Sequence, residues 1–278
     1  MDASESFLNR DLSVPEAWGT WERGFSLQTR AGTELLLTET PITRGMKVID
    51  LGSGAGEPAL AISRAVGPDG HVVATDFSGD AMAALAHKVA ALGYSNMETR
   101  QADMQALPFP DAEFDAVTAR LSVMFCARPL DALREMRRVL RPGGKTCLLV
   151  WGPPSQPLFE CTLGAIQKRA PLPLAPVGQP GPFQFSQAGT LGEAMKQAGF
   201  SEVTEGTHVV PWPWPGSAHE MWIAFSDLSG PALRPGFDAL PREEQRELER
   251  EIIQGLTAYF DGKVTDPRAT VHVARGSK

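Results

Sequence analysis

Three cysteines in 278 residues are too few to build a metal centre or a disulfide scaffold. Cys126, Cys147 and Cys161 stand at no ligand spacing, and an odd count in a chain of this length argues against a stapled fold. A reduced, cytoplasmic compartment is the simpler expectation. Positive charge is also short: 26 Lys and Arg face 33 Asp and Glu, for a formal net charge of −7. Nothing in that balance draws the chain toward a phosphate backbone, so no nucleic-acid partner is expected. The one basic concentration, Arg134, Arg137, Arg138 and Arg141, reads as a solvated helix face with its cations near the negative end of the helix. No apolar run is long enough to span a bilayer. The opening MDASESFLNRDLS is acidic and polar, unlike a secretory signal.

What remains is ordinary globular material, 42% hydrophobic and 21% charged. Short, β-branched apolar runs alternate with helical patterns. A helix is expected over 15–40, then a buried strand in MKVIDLGSG, a helix from Pro58, a strand HVVATD and a helix capped by Ser78. A third strand ends at Asp103, a fourth begins at FDAVTARLSV, a helix covers Leu130 to Leu140, and KTCLLVWG is a fifth strand after a turn at Arg141-Pro-Gly-Gly. That order predicts an α/β fold with a parallel sheet covered on both faces. Beyond Gly152 the texture turns rich in proline and tryptophan. There we expect a helix over 186–199, a sixth strand over 200–210, a charged helix over 241–256 and a last strand ATVHVARG. The organisation expected is a helical cap over 1–40, a core over 41–152, and over 153–278 the rest of the core with lid insertions.

In sheets of this kind ligands bind beyond the carboxyl ends of the strands, which directs attention to VIDLGSGAGEP. Gly52, Gly54 and Gly56 alternate after the first strand, so a ligand can lie against the main chain with no Cβ in the way. Glu57 occupies the place of the third glycine of a dinucleotide fingerprint, which counts against NAD, and no Gly-Lys-Ser/Thr follows. Asp50, just before the turn, suits a ligand with a cationic end. Asp76 lies 20 residues past Gly56 and can accept both hydroxyls of a ribose. Asp103 can accept from an adenine amino group, with Met104, and Leu107 or Phe109, against the ring. Each carboxylate alone reads as a strand-end cap. Together, at the ends of successive strands, they point to a nucleoside.

Three segments in order, VIDLGSGAGEPALAISRAVGPDGHVVATDFS with its glycine turn, QADMQALPFPDAEFDAV and LREMRRVLRPGG, make the chain resemble class I S-adenosylmethionine-dependent methyltransferases. The likeness, over about residues 15–200, is to the ubiquinone/menaquinone-biosynthesis-type branch acting on small molecules. It implies a Rossmann-like, doubly wound seven-stranded sheet with its last strand antiparallel and helical lid insertions. It also implies S-adenosylmethionine as cofactor and S-adenosylhomocysteine as product. By that likeness the three glycines shape the turn under the methionine and ribose, and Asp50 lies near the methionine amino group through water or the turn's backbone. Asp76, with Phe77 beside it, takes the ribose, and Asp103 and Met104 frame the adenine. Arg120 and Leu121 line the methionine side, and Trp21, Phe25 and Gln28 close over the cofactor. Met124, Phe125, Trp151 and Phe159 form an apolar acceptor wall, with plain core packing an equal alternative.

The chemistry asks little of the protein beyond alignment and a dry pocket, because a sulfonium methyl is already activated. A base is needed only for a weakly acidic acceptor. His219 is the candidate, although no orienting partner is identifiable and its neighbour Glu220 faces elsewhere. His71, His87, His208 and His272 carry no such expectation, and Cys126 reads as a small buried hydrophobe. The expected function is methyl transfer to a small, partly apolar molecule by in-line displacement. The alternative is a cofactor-binding or cyclase-like protein without transfer. A homodimer is a further expectation, with no motif to carry it.

Overall fold

Short apolar strands pair best when both faces can be buried, and the sequence supplies five of them in parallel. The structure is a computed structural model that describes residues 14–278. Residues 1–13, on which the reading of the acidic opening fell, lie outside the described residues. The chain divides into two compact units: a sheet unit of Gly32–Pro153, Ala175–His208 and Thr270–Lys278, and a helical unit built from the chain up to Ala31, Pro154–Leu174 and Val209–Ala269.

The sheet has seven strands: β1 (Lys47–Leu51), β2 (His71–Asp76), β3 (Met97–Gln101), β4 (Phe114–Arg120), β5 (Leu140–Trp151), β6 (Ser201–Val210) and β7 (Ala269–Ser277). Their order is β3-β2-β1-β4-β5-β7-β6. The first five are parallel, and β7 runs antiparallel to β5 with Val150 opposite His272. This is the Rossmann-like, doubly wound sheet with an antiparallel last strand. The winding direction switches between β1 and β4, where a crevice for a ligand is expected.

Alternate strand residues take opposite faces. Val48, Val72, Ala74 and Ala116 meet Leu60, Ile62, Met82 and Leu85 from α3 (Ala59–Val66) and α4 (Gly79–Ala91). Ile49, Leu51, Val117, Leu148 and Val150 meet Leu133, Met136, Leu191 and Met195 from α5 (Pro129–Val139) and α8 (Thr190–Gln197). Ser78 caps α4 as expected, its hydroxyl accepting from Ala81 N at 3.2 Å.

Several boundaries differ from expectation. The single helix over 15–40 is two, α1 (Val14–Gln28) and α2 (Arg30–Glu39). The turn after Leu140 is absorbed into β5: pairing to β4 jumps from Phe114↔Leu140 to Ala116↔Lys145, so Arg141–Gly144 bulge out of the ladder. The helix over 186–199 shortens to α8, which starts after Gly189 in a left-handed conformation, φ 88°. The third strand stops at Gln101, leaving Asp103 in the loop beyond it.

The four arginines are engaged in the sheet unit. Arg138 binds Glu135 and Asp111 and donates to the carbonyls of Leu107 and Phe109, pinning the loop after β3 to α5. Arg134 pairs with Asp131, Arg141 with Asp115, and Arg137 donates to Gly199 O.

In the helical unit, α9 (Ala218–Leu228) packs against α1, α10 (Gly230–Asp238) and α11 (Arg242–Thr257); a π turn over Glu160–Gly164, preceded by α6 (Pro157–Phe159), and α7 (Ala165–Gln167) lie beside α11. Trp222 is buried against Phe237, ring centroids 5.7 Å apart, and its indole N–H donates to Glu249. Among the described residues, no helix is long and apolar enough to cross a membrane.

Candidate active site

The glycine turn takes conformations that a side chain would resist: φ is 74° at Gly52, 49° at Gly54 and 112° at Gly56. The three glycines serve different ends. A Cβ on Gly52 would lie 2.3 Å from Ser122 Cβ, and one on Gly56 would lie 2.6 Å from a Leu85 methyl. Those two are glycine because the turn is clamped against β4 and α4. A Cβ on Gly54 would meet nothing within 4 Å. It faces open space, as a backbone that receives a ligand must.

Asp50 braces this turn from beneath. It is wholly buried, with one carboxylate oxygen accepting from Thr118 Oγ1 at 2.7 Å and the other from Ser53 Oγ at 2.6 Å. Burial pushes its carboxyl up to about 6, against the lowering pull of those two hydroxyls and of Arg120. Sealed from solvent at 0% exposure, Asp50 can act on a ligand only through the turn it supports. Arg120 has the same character: buried at the end of β4, it donates to the main-chain oxygen of Glu57 at 2.8 Å, and burial lowers its guanidinium to about 10. It holds the far end of the turn. Leu121 follows with φ 55°, and its N–H is fixed by Leu149 O at 2.7 Å. A non-glycine residue in that region is strained, which is common where backbone is bent for a site. Ser122 then ties the segment to Leu51 O at 2.7 Å.

Asp76 stands at the carboxyl end of β2. One of its oxygens accepts from Gly54 N at 3.0 Å and the other from Ser78 N at 2.9 Å. A carboxylate oxygen has a second lone pair, so both atoms can still accept, and the carboxylate lies beside the open turn. Phe77, next in the chain, is 77% exposed, and its carbonyl accepts from Gln101 at the end of β3. Asp103 is half-buried and accepts from the backbone and side-chain N–H groups of Gln105. The terminal methyl of Met104 comes within 3.7 Å of where a Gly52 Cβ would stand. Turn, Asp76, Phe77 and the Asp103–Met104 loop therefore lie together beyond the carboxyl ends of β1, β2 and β3. A planar base with an amino group, a vicinal diol and a chain lying on the glycine backbone match these groups in kind, so the residues present fit an adenosyl ligand.

The acceptor-wall candidates separate. Met124 is fully buried in the core under β4, so it is core rather than wall; Phe125 beside it is 57% exposed, and Trp151 is half-buried against the same core. Phe159 is buried in the helical unit. Trp21, Phe25, Gln28 and His219 also belong to that unit. Trp21 is anchored there by an indole hydrogen bond to Asp227 at 2.7 Å and an edge contact with Trp214. Gln28 is buried and Phe25 half-buried. His219 opens α9 and is half-buried. Its neighbour Glu220 is spent on the capping box, its carboxylate taking the Ser217 N–H and hydroxyl.

Three contributors went unnoticed in the sequence. Thr118 and Ser122 hold the turn through hydroxyls on β4 and just beyond it, and a serine or threonine in a strand gives no signal of that. His272 is buried in β7, with its ring nitrogens on Thr207 Oγ1 and Ser186 O, both at 2.9 Å, fastening the 175–189 loop to the sheet.

Residues 49–148 match the family model described as "Methyltransferase domain". The ubiquinone/menaquinone biosynthesis C-methyltransferase UbiE of Hahella chejuensis is 36% identical over 125 residues, 45% of this chain and 50% of that protein. The demethylmenaquinone methyltransferase of Staphylococcus aureus is 33% identical over 133 residues, 48% of this chain and 54% of its own. The chain thus spans about half the length of the curated relatives it matches. In fold it is similar to a SAM dependent methyltransferase from Aquifex aeolicus, with a TM-score of 0.53 at 22% identity, covering 72% of this chain and 92% of that one.

Proposed function

We propose that this chain, whose residues 49–148 match a model described as "Methyltransferase domain", is a class I S-adenosylmethionine-dependent methyltransferase that transfers the methyl group of that cofactor to a small, partly apolar acceptor. The observation that carries the reading is the open face of Gly54 beside Asp76 at the switch point of the sheet.

In this reading the second lone pairs of Asp76 take the two ribose hydroxyls, Phe77 lies on a face of the adenine, and Asp103 receives its amino group. The turn, fixed from below by Asp50, Ser53, Thr118 and Arg120, carries the methionine end. S-adenosylmethionine, when bound, supplies an already activated methyl group. The protein's share is to hold the two reactants in line and keep water out, which converts a bimolecular step into an oriented one. Exposed Phe125 and half-buried Trp151 give the sheet unit an apolar surface past β4 and β5 for the acceptor. The three unpaired cysteines favour a reduced, cytoplasmic setting.

The relative from Staphylococcus aureus is named for demethylmenaquinone, and a compound of that kind, with an apolar body and a polar ring, is the acceptor to try first. The test is transfer of an isotopically labelled methyl from S-adenosylmethionine to reduced demethylmenaquinone and to a panel of phenolic and amine acceptors. Label in an acceptor supports the reading. Cofactor bound but label in none of them would favour a cofactor-binding or cyclase-like role.

A further inference from the structure

Gln105 is fixed at both ends of its side-chain amide. Its Oε1 accepts from Arg128 N at 2.8 Å, the residue before α5. Its Nε2 donates to Asp103, at 3.1 Å to Oδ1 and 3.3 Å to Oδ2, and its own backbone N–H donates to the same Oδ1 at 2.8 Å. The orientation of the amide follows from chemistry. The Arg128 N–H can only donate, so the atom facing it must be the oxygen, and the nitrogen must face the carboxylate. Rotating the amide would set donor against donor at one end and acceptor against acceptor at the other.

The surroundings hold this bridge in place. Asp103 O accepts from Ala106 N at 3.0 Å, and Leu107 N donates to Glu135 Oε2 at 2.7 Å. The loop from Asp103 to Leu107 is therefore closed on itself by the Ala106–Asp103 bond and tied to α5 at Leu107, while Ala102 N just before it donates to Asp76 O at 2.9 Å; Gln105 is the only residue in it whose side chain touches the Asp103 carboxylate among the hydrogen bonds described. An untethered aspartate would sample several rotamers and offer its oxygens to donors from several directions. Here Oδ1 is taken twice, by the Gln105 backbone and side chain, and Oδ2 carries only the longer 3.3 Å contact. One oxygen is committed and the other keeps its acceptor capacity in a set direction.

We propose that Gln105 is a positioning residue for base recognition: it locks the Asp103 carboxylate so that Oδ2 reads the exocyclic amino group of adenine and rejects a base that carries an oxygen there. The inference rests on the adenosyl reading above. A fixed carboxylate opposed to a carbonyl oxygen leaves two acceptors facing each other. A mobile one turns aside, and the discrimination fades.

The experiment measures, by titration calorimetry on the full chain, the affinities for S-adenosylhomocysteine and for S-inosylhomocysteine, its analogue with a carbonyl in place of the amino group. The proteins are the wild type, Gln105→Met, Asp103→Ala and the double variant. The wild type should prefer the adenosine ligand by about a hundredfold, as expected when a site built for a donor meets an analogue lacking it. Gln105→Met keeps the length of the side chain and loses all three hydrogen bonds of the amide; it should bind the adenosine ligand several-fold more weakly and drop the preference to about tenfold. In the Asp103→Ala background, Gln105→Met should change the preference no further, because its action runs through that carboxylate. A Gln105→Met protein that keeps the wild-type preference would overturn the inference, as would an equal loss of preference from Gln105→Met with and without Asp103. A wild type that binds neither ligand would instead remove the adenosyl reading on which the inference stands. A merely structural role for Gln105 lowers thermal stability and both affinities together, leaving their ratio unmoved.

Discussion

Gly52 and Gly54 are two residues apart in one turn, both with positive φ, yet adding a methyl group to each should have opposite consequences. In Gly52→Ala the new Cβ falls 2.3 Å from Ser122 Cβ and 2.8 Å from Ser122 Oγ. That serine is held by Leu51 O, so it cannot swing away without losing its hydrogen bond. Overpacking of this kind costs roughly 1–3 kcal/mol, and the left-handed backbone adds roughly 1–2 kcal/mol for an alanine. About 3 kcal/mol in a chain of this size lowers Tm by roughly 10 °C. Gly54→Ala carries only the backbone term, about 1–2 kcal/mol, because its Cβ meets nothing within 4 Å. Its methyl group enters the open space proposed for the ligand, so affinity for S-adenosylhomocysteine should fall about tenfold or more. Differential scanning calorimetry and ligand titration on the two variants read both effects. If Gly54→Ala stays folded and binds as tightly as the wild type, no ligand rests on this turn. If Gly52→Ala melts with the wild type, the clamp between turn and β4 is not what the geometry says.

Other outcomes follow from the same contacts. Asp50 is raised from 3.8 to about 6 by burial, so the folded state holds its proton more tightly than the unfolded chain. Its contribution is most favourable below about pH 4 and is lost as pH rises through about 6, by at most about 3 kcal/mol. Urea unfolding of Asp50→Asn should therefore gain on the wild type between those pH values and run parallel above them; a constant difference would refute the assignment. Burial pushes Cys126 and Cys147 up to about 12, so in the native protein half-buried Cys161 should react first with a thiol reagent at pH 8; rapid labelling of all three would contradict the burial. With Glu220 committed to its capping box, His219 lacks a carboxylate from its neighbour, and His219→Gln should lower methyl transfer less than tenfold in a labelled-methyl assay. A loss of a hundredfold or more would make it the general base.

The sheet was legible because its signals are local. β1 and β2 are apolar runs with an aspartate at or next to their last residue, and a residue that turns or caps the chain soon follows, Gly52 after Leu51 and Ser78 two residues past Asp76. The Arg141–Gly144 bulge was not legible, because the turn residues there kink a continuous strand rather than end it. Of the proposed site residues, Asp76 and Asp103 stand out in the sequence by position, at the end of β2 and just beyond β3. Asp50 carried the same signal and yet turned inward, since residue type does not report which way a strand side chain faces; that was decided by hydroxyls on Ser53 and Thr118, the second of them 68 residues away. Met124 and Phe125 show the same limit: adjacent and both apolar, one is core and the other 57% exposed. Proline and tryptophan marked the segments after Gly152 as different; the helices expected over 186–199 and 241–256 are α8 and α11, but α9 and α10 gave no such signal, their packing resting on contacts such as Trp222 with Phe237 and Glu249.

The most direct test of the adenosyl site is calorimetric titration of S-adenosylhomocysteine into the wild type and into Asp76→Ala. The wild type should bind one equivalent. Removing a carboxylate proposed to take two hydroxyl hydrogen bonds, each worth about 1.5–3 kcal/mol when charge-assisted, should weaken binding by at least a hundredfold. No binding by folded wild type, or equal affinity in the two proteins, would contradict the account.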